Sequence, residues 1–468
     1  MSSSIKDYRF TKRVVTKVYS DPKSIKGRKI KAQLFVGEWA KKLEESGEEL
    51  KVRYRGGEGY ISKTEAGEKR ALEIYFIDVG QGDAILIEMP NDRRILIDGG
   101  PDGRANGFLT WKYNLIKYAK RFDAVILTHG DADHAAGMTK ILNNPNIQVE
   151  RIYHNGIARR NGEGLKSFGK TETGMLVDLY SDIAELEDEY KNLSKGFKDW
   201  YKAVQSAKER AAKNGYGFTC QRADQYTEKL VLGGEDEIKI TFLGPINQGS
   251  PNSPKLKLFE NSDSKTMNGN SVAIIIEYGK ARMLFCGDIN PDAEALYIEK
   301  HGNSLEAHVF KANHHGSPDF TTNFLKTVSP WVSVVSSGSY NEYGHPRANL
   351  LGSLGRYSKD KVEKPLLFST QIAAAFKEIP KNEFKLLMPP EKLKEKGYTD
   401  DQIKTLTEKF NKKTFGYEKV THGMIHVRTN GQWLAAGRPF GGKSGCWDWE
   451  AYAFDLESGS LKRNDILL

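Results

Sequence analysis

Four side chains able to bind a metal ion occur within six residues of the segment THGDADHAAG. They are His129, Asp131, Asp133 and His134. They directly follow AVIL, an apolar run that predicts a buried strand. Imidazole nitrogens and carboxylate oxygens together suit Zn²⁺, Mn²⁺ or Fe²⁺, so the spacing predicts a metal site. A polar turn leading into a helix N-cap is the alternative, because aspartate is common in both.

Further histidines and aspartates also come directly after strand-like runs. They are Asp98 in LIDGG, Asp288 in FCGDI, and His314 and His315 in NHHGS. Ligand sites in open α/β sheets lie beyond the carboxyl ends of the strands, so we expect these side chains to converge with the first group. This combination favours a metal centre over a polar turn.

The alternation of strands and helices that begins at Leu72 predicts an α/β sandwich. Within it, Val177–Lys213 is highly charged and has apolar residues near helical spacing. This pattern predicts a helical insertion at about 165–230, whose aromatic stripe packs against the core.

The regions on either side of the sandwich have different residue patterns. Residues 1–70 contain short strand candidates between Glu-, Lys- and Gly-rich turns, and they resemble a bacterial SH3-like β-barrel. That resemblance implies a unit that binds a protein partner or packs on its neighbour. We therefore divide the chain into 1–70, the α/β sandwich at 71–360 and a C-terminal extension at 361–468. In the extension, Asn430 and Gly431 predict a type I′ turn in a hairpin over 423–436.

The composition is typical of a globular chain of several domains. It has 468 residues, 28% of them charged, and a net charge of +9. This mild positive bias is compatible with a polyanionic partner, but without a long basic arm an ordinary solvated surface explains it as well. Cys220, Cys286 and Cys446 are far apart, which favours a reducing compartment over a disulfide framework. No apolar run approaches the ~18 residues that span a bilayer. We therefore expect a cytoplasmic protein that does not enter a membrane.

Six motifs resemble those of the metallo-β-lactamase-fold hydrolases, and within them the hydrolase domain of ComEC-type competence proteins. In chain order they are IDVGQGDA (77–84), ILIDGG (95–100), LTHGDADHAAG (127–137), LFCGDI (284–289), HHGS (314–317) and NEYGHP (341–346). The resemblance covers about residues 72–355 and implies a four-layer αβ/βα sandwich. The membrane-spanning helices of ComEC-type proteins have no counterpart in this sequence.

The resemblance also implies two divalent ions, Zn²⁺ or Mn²⁺. The implied ligands are His129 and Asp131 for one ion, Asp133, His134 and His314 for the other, and Asp288 between them. Neighbouring residues on a strand point in opposite directions, so only one of His314 and His315 is expected to be a ligand, and the resemblance favours His314.

Other residues are expected around the metal centre. Asp98 is expected to support the ligand loop, and His345 to orient a scissile phosphate or protonate the leaving oxygen. His154 is either a ligand, a substrate contact or an ordinary strand-end histidine. The remaining candidates for the edge of the site and for substrate contacts are Asp78, Gln81, Asp83, Asn270 and Asn341.

These residues predict a metal-dependent phosphodiesterase or nuclease acting on DNA. Two ions about 3.5–4 Å apart would lower the pKa of a bridging water, giving hydroxide at neutral pH, and would neutralise the phosphate oxygens. Two alternatives remain open. The same fold hydrolyses small molecules such as cyclic nucleotides, phosphoesters, lactones or lactams in other proteins, and a silent site would leave a binding or scaffold protein.

Overall fold

The computed structural model describes residues 7–233, 237–338, 343–358, 362, 364–379, 394, 397–404, 414–440 and 448–462. In this part of the chain, two large β-sheets pack face to face and carry helices on their outer faces. The helices are α1 Arg104–Tyr113, α2 Ala132–Leu142, α3 Lys195–Lys213, α4 Asp263–Gly269, α5 Pro291–His301, α6 Thr322–Val328 and α7 Ala348–Tyr357.

The N-terminal residues form a separate antiparallel sheet in the order β3-β2-β6-β5-β4-β1-β7. Its strands are β1 Tyr8–Thr11, β2 Val15–Tyr19, β3 Ile30–Phe35, β4 Trp39–Ser46, β5 Glu49–Tyr54, β6 Gly57–Ser62 and β7 Ala66–Gly67. Side chains alternate between its two faces, and the buried ones form a small core of their own. The strands predicted from the sequence are β3, β5 and β6. The SH3-like character of the unit stays a prediction.

The first sheet of the sandwich contains ten strands in the order β17-β14-β12-β10-β9-β8-β28-β29-β30-β31. They are β8 Leu72–Phe76, β9 Ile85–Glu88, β10 Arg94–Ile97, β12 Ala124–Ile126, β14 Arg151–His154, β17 Thr219–Arg222, β28 Ile425–Thr429, β29 Trp433–Phe440, β30 Asp448–Asp455 and β31 Leu461–Lys462. Strands β10, β12, β14 and β17 run parallel, so their carboxyl ends lie at one edge.

The second sheet contains seven strands in the order β18-β19-β21-β22-β23-β24-β25. They are β18 Leu230–Leu232, β19 Ile238–Gly244, β21 Ala273–Tyr278, β22 Ala281–Phe285, β23 Val309–Lys311, β24 Val332–Val335 and β25 Leu366–Ser369. The short remaining strands are β11 Lys120–Phe122, β13 Ile147–Val149, β15 Thr171–Glu172, β16 Met175–Leu176, β20 Leu256–Lys257, β26 Gln371–Ile379 and β27 Thr414–His422.

The layering follows from the burial of the strands. β8 is buried at all five positions, because its inner face packs on the second sheet and its outer face on α1. Helices α1, α2 and α3 cover the first sheet, whereas α5, α6 and α7 cover the second. The four-layer arrangement predicted from the sequence is confirmed. Among the described residues, no helix combines the length and the apolar character needed to cross a bilayer.

The segment at about 165–230, which was expected to be a helical insertion, contains a helix that connects two strands of the first sheet. Helix α3 begins only at Lys195, and Val177–Ser194 forms irregular structure with two short 3₁₀ turns, so the predicted helix was too long. Helix α3 connects the parallel strands β14 and β17, which makes it an ordinary crossover helix. Its stripe of Phe197, Trp200 and Val204 is buried in the core, as expected for a packing face.

The C-terminal strands complete the first sheet, because β28 pairs with β8. The expected hairpin is present as β28 and β29, but the predicted type I′ turn is wrong. Such a turn needs a positive φ at both central residues, and here only Gly431 has one, at 86°. The side-chain oxygen of Asn430 instead accepts hydrogen bonds from the N–H groups of Gln432 and Trp433, which widens the loop.

A buried arginine fastens the N-terminal sheet to the sandwich. The guanidinium of Arg428 on β28 donates to the carbonyl of Val36 at 2.7 Å and pairs with Glu38 at 2.8 Å. It also lies 3.4 Å from Glu73 on β8. Burial opposes this charge, but the carboxylates of Glu38 and Glu73 raise the pKa of Arg428 further above its usual range. The charge is therefore kept in the interior by its partners.

We expect Arg428→Met to lower the free energy of unfolding by about 3–5 kcal/mol, because it leaves the buried Val36 carbonyl without its donor and removes the positive charge beside Glu38 and Glu73. Urea unfolding followed by circular dichroism measures this loss. Arg438→Met is the matched control, because Arg438 forms a partly exposed pair with Glu450 on the adjacent strands. Arg438→Met should lower the free energy of unfolding by no more than about 1 kcal/mol. Equal losses in the two variants would contradict the assigned role of Arg428.

Candidate metal centre

The site lies at the edge where the carboxyl ends of β12 and β23 meet across the sandwich. After β12 the chain passes through His129 and enters α2, whose N-cap is Asp131. The Asp131 side chain makes no capping hydrogen bond to the helix. The alternative interpretation of this segment as an ordinary polar turn with an N-cap is therefore not supported.

Two histidines converge on one carboxylate oxygen. Asp288 Oδ2 lies 3.3 Å from His134 Nε2 and 3.0 Å from His315 Nε2. The two Nε2 atoms are 3.1 Å apart, and Asp133 Oδ2 lies 3.2 Å from His315 Nε2. Two imidazole nitrogens facing each other beside carboxylates form a donor set suited to a divalent cation.

The buried members of this group form a compact cluster of potential ligands. They are Asp83, His134, Asp288 and His315, each with one ligand atom within 4.8 Å of those of the others. We call them the His/Asp cluster. Asp83 was expected at the edge of the site, but it is only 1% exposed and belongs to the cluster itself.

Asp98 orients one of the cluster histidines. Its carboxylate accepts hydrogen bonds from the backbone N–H and the hydroxyl of Thr128, at 2.8 and 2.7 Å, and it contacts His134 Nδ1 at 2.8 Å. Asp98 is held at a φ of 56°, a left-handed conformation that this short polar residue tolerates. The contact leaves His134 Nε2 directed at Asp288. This geometry agrees with the prediction that Asp98 holds a ligand in place without binding the metal itself.

Lys311 is a functional candidate that the sequence analysis missed. Its side chain is 1% exposed, and its ammonium group pairs with Asp83 and lies 3.4 Å from Asp288 Oδ1. It also donates to the Gly287 carbonyl at 3.2 Å. The sequence feature that could have identified it is a lysine that ends the strand VFK, two residues before NHHGS. It places a fixed positive charge beside two buried carboxylates.

The structure brings His315, and not His314, into the His/Asp cluster. His314 Nε2 instead lies 3.4 Å from the Asn268 amide, and its ring lies beside that of His345. The argument from opposite strand faces fails here, because both histidines follow the strand and have positive φ values of 48° and 53°. The preference for His314 over His315 is therefore not supported by the geometry.

His129 and Asp131 lie beside the cluster. The rings of His129 and His134 are 4.1 Å apart, and His129 Nε2 is 3.9 Å from Asp131 Oδ2. Arg159 pairs with Asp131 at 3.2 Å and with Asp263 at 3.3 Å. Arg159 is another residue that the sequence analysis did not single out. A cavity of about 330 Å³ opens next to Asp131 and is lined by Arg159, Phe197 and Trp200 among others.

The predicted edge residues hold the loops around the cluster. Asp78 accepts hydrogen bonds from the Gly80 N–H at 3.2 Å and from the Gln371 amide at 2.6 Å. The side-chain oxygen of Gln81 accepts from the Gly338 N–H. These contacts agree with the alternative interpretation of Asp78 and Gln81 as turn and loop supports.

Two other candidates make local contacts, and a third lies outside the described residues. His154 accepts from the Gly156 N–H at 3.1 Å, and its ring stacks on Tyr180. The amide of Asn270 donates to two backbone carbonyls, so its side chain supports the chain locally. The geometry does not support these two as ligands or substrate contacts. The substrate contact predicted at Asn341 lies outside the described residues.

Charges in the cluster depend on each other. Burial opposes charge on the His134 and His315 rings, but Asp288 and further carboxylates raise the pKa of both well above the ordinary value. Burial also opposes charge on Asp288, yet the two histidines and Lys311 lower its pKa well below the ordinary value. Burial raises the pKa of Asp131 to about 6. A bound cation would take the place of the ring protons, so binding should release protons.

A buried glutamate lies behind the HHGS loop. Glu294 on α5 is fully buried and accepts hydrogen bonds from the Asn313 amide at 3.0 Å and the Thr321 N–H at 2.6 Å. Burial raises its pKa to about 7, against the lowering effect of these hydrogen bonds. Between pH 4.5 and 7 the native state therefore holds a proton that the unfolded chain has released, so stability falls as pH rises.

We expect the free energy of unfolding of the wild type, relative to Glu294→Gln, to fall by up to about 3 kcal/mol between pH 5 and 8. Urea unfolding at each pH measures the difference. Glu299→Gln is the control, because Glu299 lies exposed on the same helix. A difference between wild type and Glu294→Gln that stays constant with pH would contradict the prediction.

A family model and several curated proteins match this chain in sequence. Residues 77–209 match the model of the Metallo-beta-lactamase superfamily. ComE operon protein 3 of Bacillus subtilis (strain 168) is 26% identical over 302 residues, covering 61% of this chain and 31% of that protein. Competence protein ComA of Neisseria gonorrhoeae is 23% identical over 290 residues, covering 62% of this chain and 30% of that protein. The chain thus spans about a third of the length of these curated relatives.

The solved structure of a metal-dependent hydrolase of the beta-lactamase superfamily is 11% identical in sequence. The match covers 64% of this chain and 94% of that chain, with a TM-score of 0.32. The family match includes the segment of His129, Asp131, Asp133 and His134. The chain therefore carries a domain of the metallo-beta-lactamase superfamily of hydrolases and is a homologue of ComEC-type competence proteins.

Proposed function

We propose that this chain is a divalent-metal-dependent phosphodiesterase that cleaves DNA in the cytoplasm. The observation that carries the proposal is the convergence of His134 and His315 on one oxygen of Asp288, with Asp133 beside them. The chain's similarity to competence proteins supports the choice of a nucleic acid as the substrate. The two described cysteines, Cys220 and Cys286, are free and buried, which agrees with a reducing compartment.

The donor set fits a divalent ion. His134, His315 and Asp288 of the cluster would hold one Zn²⁺ or Mn²⁺ ion together with Asp133, since Asp83 is already paired with Lys311. His129 with Asp131 would take part in holding a second ion. Such ions supply positive charge that polarises the phosphate oxygens and makes water a better nucleophile.

The chain's own side chains keep this site in order. Asp98 fixes which nitrogen of His134 faces the cluster, and Lys311 offsets the charge of Asp83 and Asp288. Burial and the neighbouring His314 lower the pKa of His345 to about 4. The His345 ring is therefore neutral at pH 7, which favours orientation of the scissile phosphate over protonation of the leaving oxygen.

The test is cleavage of end-labelled single- and double-stranded DNA by the purified chain, with Mn²⁺, Zn²⁺ or a chelator. We expect cleavage that needs metal, and the fragment lengths will distinguish endonuclease from exonuclease action. Hydrolysis of small phosphoesters, lactones or lactams without DNA cleavage would overturn the DNA assignment. Bound metal with no hydrolysis of any of these would overturn the enzymatic proposal.

A further inference from the structure

The positive charge of the chain is concentrated in its N-terminal unit. Residues 1–70 contain 18 of the 70 Lys and Arg residues but only 10 of the 61 Asp and Glu residues. The remaining residues are therefore nearly neutral overall. A separate folded unit that carries almost all of the net charge is an electrostatic footprint for a polyanion.

Within this unit, the charge is densest in the loop that joins β2 to β3 and in the first two residues of β3. We call residues 20–31, with the sequence SDPKSIKGRKIK, the basic loop. Lys23, Lys26, Lys29 and Lys31 are all exposed. None of the four forms an ion pair with a residue that the structure describes, although Lys31 donates to the Glu58 carbonyl. Their charges are therefore available to a partner.

The base of the basic loop is fixed. Glu49 on β5 is buried, pairs with Arg28 at 2.5 Å and accepts a hydrogen bond from the Lys23 N–H at 2.6 Å. The Arg28 guanidinium also lies 3.7 Å from the centre of the Tyr19 ring. These contacts order the loop before any partner binds, which lowers the entropy cost of binding.

Strand β3 directs the basic loop toward the edge that carries the His/Asp cluster. The side chain of Gln33 contacts Asp448 at the beginning of β30, at 2.5 Å, and its carbonyl accepts from Trp449. Tyr75 on β8 is in register with Ala451 on β30, through β28 and β29. β30 runs antiparallel to β8, so Asp448, three residues before Ala451, lies further along the direction of β8 than Tyr75 does. This is the direction in which the chain leaves β8 toward the cluster.

We propose that the basic loop binds the phosphate backbone of a nucleic-acid strand whose cleaved segment lies at the His/Asp cluster. The proposal thus rests on the proposed function for the identity of the ligand. Six strand spacings separate β12, whose carboxyl end carries the cluster, from β30, which is roughly 29 Å. This distance corresponds to about eight base steps of a duplex, so only longer strands can reach both places.

An anionic membrane surface is the other partner that this charge would suit, since Ile25 and Ile30 are 51% and 44% exposed on the same loop. We favour nucleic acid because the basic loop shares an edge of the molecule with the cluster. Vesicle binding is an outcome of the test.

The test compares two variants of the full chain with equal changes in net charge. In the loop variant, Lys23, Lys26, Lys29 and Lys31 are replaced by Gln. In the control variant, four exposed lysines of the α3 region are replaced by Gln; these are Lys191, Lys202, Lys208 and Lys213. Binding of a labelled 30-nucleotide duplex is measured by fluorescence anisotropy in chelator, over a range of salt concentrations.

We expect the loop variant to bind the duplex at least about 10-fold more weakly, with a salt slope that is smaller by roughly 0.9 per lost phosphate contact. The control variant should stay within about 2-fold of the wild type. In metal-containing buffer, the loop variant should hydrolyse a dinucleotide at the wild-type rate, because a dinucleotide is too short to reach the loop.

Equal duplex affinity of the two variants would overturn the proposal. Unchanged duplex binding with loss of sedimentation on phosphatidylglycerol vesicles would overturn it in favour of a membrane surface. The chelated binding assay needs no catalysis, so a chain that cleaves no DNA but loses duplex binding only in the loop variant would refute the proposed function while supporting the loop as the binding surface.

Discussion

Replacement of Asp288 by asparagine should lower the rate of metal-dependent DNA hydrolysis by roughly 10³-fold. One oxygen of Asp288 lies within 3.3 Å of both cluster histidines, and the other lies near Lys311. Asparagine keeps the shape but removes the charge that would hold a cation there. The expected loss corresponds to about 4 kcal/mol of transition-state stabilisation.

The measurement is the initial rate of cleavage, together with the metal content of the purified variant by atomic spectroscopy. Asp292→Asn serves as the matched control, because Asp292 is exposed in the first turn of α5, four residues further along the chain. Urea unfolding establishes that both variants are folded. Asp288→Asn with wild-type rate and metal content would refute the assignment of the cluster as the metal centre.

The two neighbouring histidines of the HHGS loop should differ strongly in effect. We expect His315→Asn to lower metal affinity and the cleavage rate by roughly 10²-fold or more, because its Nε2 belongs to the cluster. His314→Asn should lower the rate by less than about 10-fold, because its ring contacts Asn268 and His345 instead.

Asparagine is the appropriate replacement at both positions. Both residues have positive φ, and asparagine tolerates this conformation better than alanine. The two variants therefore share the same backbone requirement, and the difference between them reports the side chains. Metal affinity by competition with a chromogenic chelator and cleavage rates measure that difference. Equal losses, or a larger loss in His314→Asn, would contradict the ligand choice made from the geometry.

The amino-acid sequence by itself determined the class of the fold and identified several of the side chains that meet at the site. Apolar strands alternating with helices predicted the sandwich, and the position of Asp98, His134 and Asp288 after strands predicted that they would converge. These predictions succeed because strand periodicity and ligand chemistry depend on local residue type. The concentration of charge in residues 1–70 is likewise a property of the sequence alone.

Only the tertiary structure decided which side chains meet. His315 joins the cluster because the chain leaves β23 in two consecutive left-handed residues, a conformation that strand alternation does not anticipate. Lys311 and Asp83 come from strands or loops more than 200 residues apart, so their pairing depends on the packing of the two sheets. The direction of the basic loop likewise follows from the contact of Gln33 with Asp448, which lies at the far end of the chain. Such long-range contacts are set by the packing of the whole molecule, and local patterns carry no record of them.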